Sequence, residues 1–481
     1  MLAALILLLP WTAPPHAARR KAVAAPAPAP TLEGRLAAVL NRAALRGAQL
    51  GAAVAALPDG RRVFDRQPLA PLAPASTMKV LTTAATLDRL GPDFRFQTLF
   101  LAGGPIRDGV LDGNLYVRGQ GAPDLVVEQW YEIAAQLAGL GIGEIRGDIV
   151  GDDTYFDSER RAPGWPPAFN ASPYNAPISA LSANFNTVQV SVLPTKVGQK
   201  PMVLIEPRSD FVRAENRART GRGTSLRVSR RYDGQANTVS VSGTIGARSG
   251  MRMEWLGVEN PSQAAVAALK ATLQDSGVAV RGSAVVSVAV PDANLIYSHP
   301  SKPLAEIVAD ANKNSNNFIT ECLQRTLGAV EEGPPGSREK GAKAVEKFLA
   351  SAGAPVAGLH LVDGCGLSRD NRLTSGALLA VLLHMAADPR VGAPFMASLS
   401  VGGVDGTLRH RFLTEPGRVL GKTGTINSSR GLVGYVLDAS GRPAYAFSIL
   451  INDYRCSESA VLDAIDDFAR ALVEAAGSAA S

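Results

Sequence analysis

Three cysteines in 481 residues, Cys322, Cys365 and Cys456, exclude a fold held by a full disulfide framework, because the number is odd and small. One pair is available after export, and the spacing does not choose which. The five histidines, His16, His299, His360, His384 and His410, form neither a nucleophile-elbow pattern nor a metal-ligand spacing. A histidine triad and a zinc site are therefore disfavoured, and no metal or cofactor is expected. Aromatics are only 6% of the chain and do not interleave with basic residues, which argues against a nucleic-acid partner. The charge excess is modest: 49 basic against 43 acidic residues give +6, enough only for a general attraction to an anionic polymer, wall or membrane surface. Long apolar runs are missing too. Residues 2–9 are apolar but too short to span a bilayer, and with Pro10 and the small Ala17 and Ala18 behind them they read as the core of a signal peptide over 1–18. The expected location is outside the cytoplasm, periplasmic or extracytoplasmic.

With 46% hydrophobic and 19% charged residues, the chain has a globular composition, and its length predicts more than one structural unit. Residues 19–30, which open on the basic Arg19-Arg20-Lys21 and alternate Ala and Pro between Ala22 and Pro30, read as a stiff tether. Residues 32–46 have helical spacing. Strands are predicted at 49–56 and 61–64, around the Pro58-Asp59-Gly60 turn, and a buried helix from Ser76 to Leu90 that stops at Gly91. From about 98 to 290 the pattern changes to short strands, at 114–118, 147–150, 188–193 and 237–241, with one helix at 262–275. Helical patterns return at 303–311, 317–327 and 341–350. A hairpin at 431–436 and 444–451 precedes a terminal helix over 458–475.

Ser76 and Lys79 in Ser-Thr-Met-Lys are one helical turn apart, so the amine reaches the hydroxyl. Serine and lysine are common, and this spacing alone also fits an N-cap serine beside a solvated lysine. Lys79, however, lies among apolar residues and threonines, where an unpaired ammonium is costly. Two further elements follow: Ser315-Asn316-Asn317 in a polar loop between helices, and Lys422-Thr423-Gly424 followed by Thr425, leading into a strand. Taken singly, the one fits a helix cap and the other a glycine-bracketed turn.

In this order the three elements form the signature of penicillin-binding proteins and class A β-lactamases. Across nearly the whole chain the sequence resembles the D-alanyl-D-alanine carboxypeptidase/endopeptidase family, the low-molecular-mass class C penicillin-binding proteins of peptidase family S13. Further segments carry the resemblance: 118–125, Gly151–Phe156, Asp363–Arg369, Gly403–Leu408 and Ser448–Asn452. Two positions depart from the family pattern, Cys365 where serine is usual and Gly121-Ala122-Pro123 where Gly-Asp-Pro is common.

The resemblance implies an α+β fold: a transpeptidase-like domain with an antiparallel sheet flanked by helices, interrupted by two inserted, mostly β domains. The implied partition is 31–97 with 290–475 for the catalytic domain, 98–187 with 248–289 for the first insert and 188–247 for the second. It also implies roles. Ser76 attacks the penultimate D-alanine of a peptidoglycan stem peptide, with Lys79 as base, made neutral by desolvation and by the charge of Lys422. Ser315 relays a proton, and Asn317 holds the substrate amide and Lys79. Lys422 and Thr423 bind the terminal carboxylate, Thr425 helps form the oxyanion hole, and Gly424 gives the substrate room. Asp152, Phe156, Arg369 and Asn427 are the implied contacts for the stem's diamino acid, although Asp152 and Arg369 fit a structural ion pair equally well. β-Lactams are the implied covalent inhibitors. The competing readings are a β-lactamase or esterase with the same three elements, and a non-catalytic wall-binding scaffold.

Overall fold

The computed structural model describes residues 31–478, so the expected signal peptide and tether lie outside the described residues. A six-stranded sheet forms from both ends of the chain, in the order Ser400–Val401, Val419–Ile426, Ser429–Leu437, Pro443–Asn452, Gln49–Ala56, Arg62–Arg66. Every neighbouring pair is antiparallel. Alternation along Gln49–Ala56 sends side chains to both faces. Ala52 and Val54 meet Leu36 of the Leu32–Leu40 helix and Phe468 and Leu472 of the Glu458–Ser478 helix. Ala53 and Ala55 meet the opposite core, which includes Leu81 of the Met78–Leu90 helix and Leu378 and Leu382 of the Ser375–Ala387 helix.

The expected strands between 98 and 290 are present and dominate the stretch, with two helices among them. Leu115–Gly119 and Ile149–Asp152 pair in parallel, and the connection between them contains a helix, Val127–Gly139, that the strand-rich reading passed over. Its Trp130, Ile133, Ala134 and Leu137 are buried at i, i+3, i+4 and i+7. This helix and Pro261–Asp275 pack on a five-stranded mixed sheet, so the outer part of the insert is an α/β layer. The inner part is all β. Thr187–Leu193 pairs with Met202–Glu206 and with Arg252–Gly257, so this sheet continues beyond the expected edge at residue 247. A second sheet is built on Asn237–Gly246, flanked by Val212–Asn216, Arg219–Gly221 and Ser225–Tyr232. Among the described residues, no helix is long and apolar enough to cross a membrane.

Candidate active site

Ser76 sits in a 3-10 turn, Ala75–Thr77, that runs into the Met78–Leu90 helix. Its predecessor Ala75 has φ 47°, a backbone region costly for a residue with a Cβ. The turn is bedded on the sheet through two glycines that face each other across neighbouring strands, Gly424 and Gly431. A Cβ at Gly424 would lie 2.7 Å from the Pro74 carbonyl oxygen and 2.9 Å from Thr77 Cγ2, and one at Gly431 would lie 3.1 Å from the same methyl. Gly424 was expected to make room for substrate. The space it leaves is filled by the turn that carries Ser76.

Lys79 is fully buried, and its Nζ donates to Ser76 Oγ at 3.1 Å, Asn317 Oδ1 at 2.7 Å and the Cys365 carbonyl at 2.8 Å. Burial pushes its pKa below the usual lysine value, opposed by Cys365, Asp363 and Glu321. The sequence reading gave part of this depression to Lys422; desolvation is what drives it. Lys422, also fully buried, donates to Ser315 Oγ at 2.9 Å and to its neighbour's carbonyl, Thr423 O, at 2.9 Å. Its pKa falls further, through burial first and the charge of Lys79 second. Two hydrogen-bonded groups drawn from distant parts of the chain thus meet at one cluster, Lys79 with Ser76 and Asn317, and Lys422 with Ser315.

The cluster opens into a cleft of about 630 Å³, lined among others by Ser76, Ser315, Asn317, Arg369, Thr425 and Asn427. Thr423 stands beside it, with its Oγ1 2.9 Å from Thr407 Oγ1. The other wall comes from a segment with no motif, which the sequence reading missed. Trp165 and Tyr174 line the cleft; Tyr174 O accepts from Asn317 Nδ2 at 2.9 Å, and Trp165 Nε1 donates to Asp363 at 2.8 Å.

Of the four expected side-chain contacts, Arg369 and Asn427 line the cleft, and Asp152 and Phe156 do not. The Asp152 carboxylate is buried and fully engaged. It accepts from Arg118 Nε at 2.9 Å, Ala289 N at 3.1 Å, Thr154 N at 3.1 Å and Thr154 Oγ1 at 2.6 Å. Burial works against its charge, but these donors together hold its pKa below the usual carboxylate value. Asp152 is the structural partner of Arg118. Phe156 is buried in a small apolar cluster with Ile178, Ala180, Phe318 and Cys322.

Behind Lys79 lies a support invisible in the sequence. Glu321, four residues after Asn317 on the same helix, accepts from both Gly364 N and Cys365 N at 2.8 Å, fixing the peptide whose carbonyl holds Lys79. Asp363 ties down the same loop by accepting from Gly366 N and Ser368 N. Burial, then Asp363, raises the Glu321 pKa to about 7, with Arg325 and Cys365 opposing. The folded carboxyl therefore keeps a proton that the unfolded one releases, and stability falls as pH rises from about 4.5 to about 7. At about 1.4 kcal/mol per pKa unit, the loss is about 3 kcal/mol. Glu321→Gln keeps an acceptor oxygen but cannot titrate. Denaturant melts at pH 5 and pH 8 are expected to show this decline shrinking in the variant, and an equal decline in both proteins would contradict the assignment.

The comparisons with known proteins agree with one another. A model of the D-Ala-D-Ala carboxypeptidase 3 (S13) family matches residues 32–474. The D-alanyl-D-alanine carboxypeptidase of Actinomadura sp. (strain R39) is 35% identical over 460 residues, covering 92% of this chain and 84% of that protein. The crystal structure of penicillin binding protein 4 (dacB) from Haemophilus influenzae superposes with a TM-score of 0.76 at 25% identity, covering 92% of this chain and 99% of that one. The same protein complexed with a novel β-lactam gives a TM-score of 0.72. With a match running through both inserts and nearly to the end of the last helix, the chain belongs to the S13 family of D-Ala-D-Ala carboxypeptidases, hydrolases of the penicillin-binding-protein class.

Proposed function

We propose that Ser76 is the nucleophile and that this enzyme releases the terminal D-alanine of peptidoglycan stem peptides through a Ser76 acyl-enzyme. The observation that carries the reading is the buried Lys79 amine, 3.1 Å from Ser76 Oγ and anchored on its other sides by Asn317 and the Cys365 carbonyl. A neutral amine has two N–H donors and one lone pair. With the donors given to Asn317 and Cys365, the lone pair faces the serine hydroxyl. As Oγ attacks the carbonyl of the penultimate D-alanine, its proton passes to Lys79. Ser315, held by Lys422, relays that proton from Lys79 to the departing amine, leaving both residues as they began; water then attacks the ester, Lys79 takes the water's proton and Ser76 Oγ recovers it as the acid leaves. Lys422 and Thr423 take the substrate carboxylate, and the backbone N–H groups of Ser76 and Thr425 receive the oxyanion. Acylation is expected to speed up with rising pH as Lys79 loses its proton, beginning below the pH at which a solvated lysine titrates.

The same site accepts β-lactams as acylating inhibitors and admits a D,D-endopeptidase cut, in which the leaving amine belongs to a second stem. The enzyme works outside the cytoplasm, associated peripherally with wall or membrane. We place the inner insert at 187–257, within an outer insert that begins near 98 and ends near 289. D-alanine release from a stem pentapeptide, measured beside the decay of the penicilloyl adduct, separates the readings. Release with slow decay supports the peptidase; fast decay without release favours a β-lactamase; neither reaction favours a scaffold.

Arg369 and Asn427, at the cleft mouth, are the proposed grip on the diamino acid. Arg369→Ala is expected to raise KM for a stem carrying a free carboxylate about tenfold, and to leave penicillin acylation unchanged. An equal loss on a stem lacking that carboxylate would remove Arg369 from substrate recognition.

A further inference from the structure

The positive charge of this chain is concentrated in one place. Residues 187–257 contain twelve Lys and Arg against five Asp and Glu, a net of +7 in a chain whose total is +6. The inner insert therefore accounts for the whole excess.

Strand register decides where part of that charge points. Directly opposed residues share a face of a sheet. Thr238, in the central strand of the four-stranded sheet, is opposed by Arg213 on one side and Arg231 on the other. Arg227 opposes Ser242, and Arg219 opposes Thr244. Val239, Val241 and Ile245, at the alternate positions, are buried on the opposite face, so the arginines project outward. All four arginines are exposed, and none forms a salt bridge among the described residues. Glu215 is the acidic residue in their midst, and it pairs with Arg217. Ser225 and Ser229, opposite Thr244 and Ser240, add hydroxyls to the same basic face.

We propose that this outer face is a second, non-catalytic contact with the peptidoglycan polymer itself, on the reading that peptidoglycan is the substrate. Stem peptides carry carboxylates, and arginine binds carboxylates through paired N–H donors. Along a strand Arg227 and Arg231 stand about 13 Å apart, and Arg213 and Arg231 are two strands, or about 10 Å, apart. Such an open grid with serine and threonine between the charges suits spaced carboxylates and sugar hydroxyls. A bilayer-binding face would carry apolar anchors among its cations. The exposed Met202, Leu204, Met253 and Trp255 belong to the neighbouring three-stranded sheet and make an anionic membrane the rival surface to be tested.

The test is a triple variant, Arg213→Gln, Arg227→Gln and Arg231→Gln, in the full chain. Its sedimentation with purified insoluble sacculi is compared with that of the parent protein at low and high salt. The variant is expected to lose about tenfold or more in sacculus affinity, with most of the salt dependence. D-alanine release from sacculi should fall with it, while turnover of a soluble pentapeptide and penicillin acylation stay unchanged. Sedimentation equal to that of the parent, or a parent protein that does not bind sacculi, overturns the proposal. So does a loss confined to vesicles of phosphatidylglycerol and phosphatidylcholine. Failure of the parent on the soluble pentapeptide would count against the catalytic reading instead, and sedimentation would still decide the role of the face.

Discussion

Ser76→Ala is expected to abolish covalent labelling by a fluorescent penicillin and to lower D-alanine release by about 10⁴-fold or more. The magnitude follows from what remains. Removing Oγ deletes the atom that forms the bond, and neither Lys79 nor Ser315 can replace it. Lys79 would attack as an amine from full burial, and Ser315 Oγ is engaged by Lys422 at 2.9 Å. The fold should survive, because the Ser76 side chain is half-buried and its contact in the cluster is with Lys79, which keeps two other acceptors. A melting temperature close to that of the parent, with no adduct by mass spectrometry, is the expected pair of results. A variant that still carried one penicilloyl group would move the nucleophile elsewhere.

Gly366→Ala is expected to do comparable damage from outside the reacting atoms. Gly366 has φ +83°, and a Cβ there would lie 1.8 Å from the carbonyl oxygen of Ala75 and 3.0 Å from Met78 Cβ. No rotamer relieves a clash between a Cβ and a backbone oxygen, so either the loop or the Ser76 turn must move. The loop is fastened by Asp363 and Glu321, and the turn is bedded on Gly424 and Gly431. The expected cost is about 4 kcal/mol or more in stability, with acylation nearly lost in whatever still folds. Gly353, at φ +64° with no atom near its virtual Cβ, is the control: Gly353→Ala should cost about 1 kcal/mol and leave acylation intact. Equal melting temperatures for the two variants would mean that the contact between loop and turn is dispensable.

The elements proposed to carry the reaction were legible because each obeys a short-range rule. Ser76 and Lys79 are one helical turn apart, Asn317 opens a helix, and Lys422 lies in a strand paired with its sequence neighbour. What escaped depends on packing between distant segments. Asp152 is committed to Arg118 because their strands run parallel in adjacent register, which no spacing reveals. Glu321 lies one helical turn before Arg325 and reads as half of a surface ion pair until the loop at Gly364 folds against it. The Ser375–Ala387 helix is apolar nearly all round and has no period to detect, while Val127–Gly139 had the period but sat in a strand-rich stretch. Trp165 and Tyr174 carry no signal beyond being aromatic.

The notch made by Gly424 and Gly431 also has a consequence for when the enzyme becomes able to react. The serine is among the first residues of the folded part to be made, and the surface it rests on is among the last. Until the strands at Val419–Ile426 and Ser429–Leu437 have been synthesised and paired, the turn has no seat, and Lys422 is not there to hold Ser315. A chain interrupted before those strands therefore lacks both the seat of Ser76 and the partner of Ser315, so completion of the chain acts as the arming step for the hydrolase.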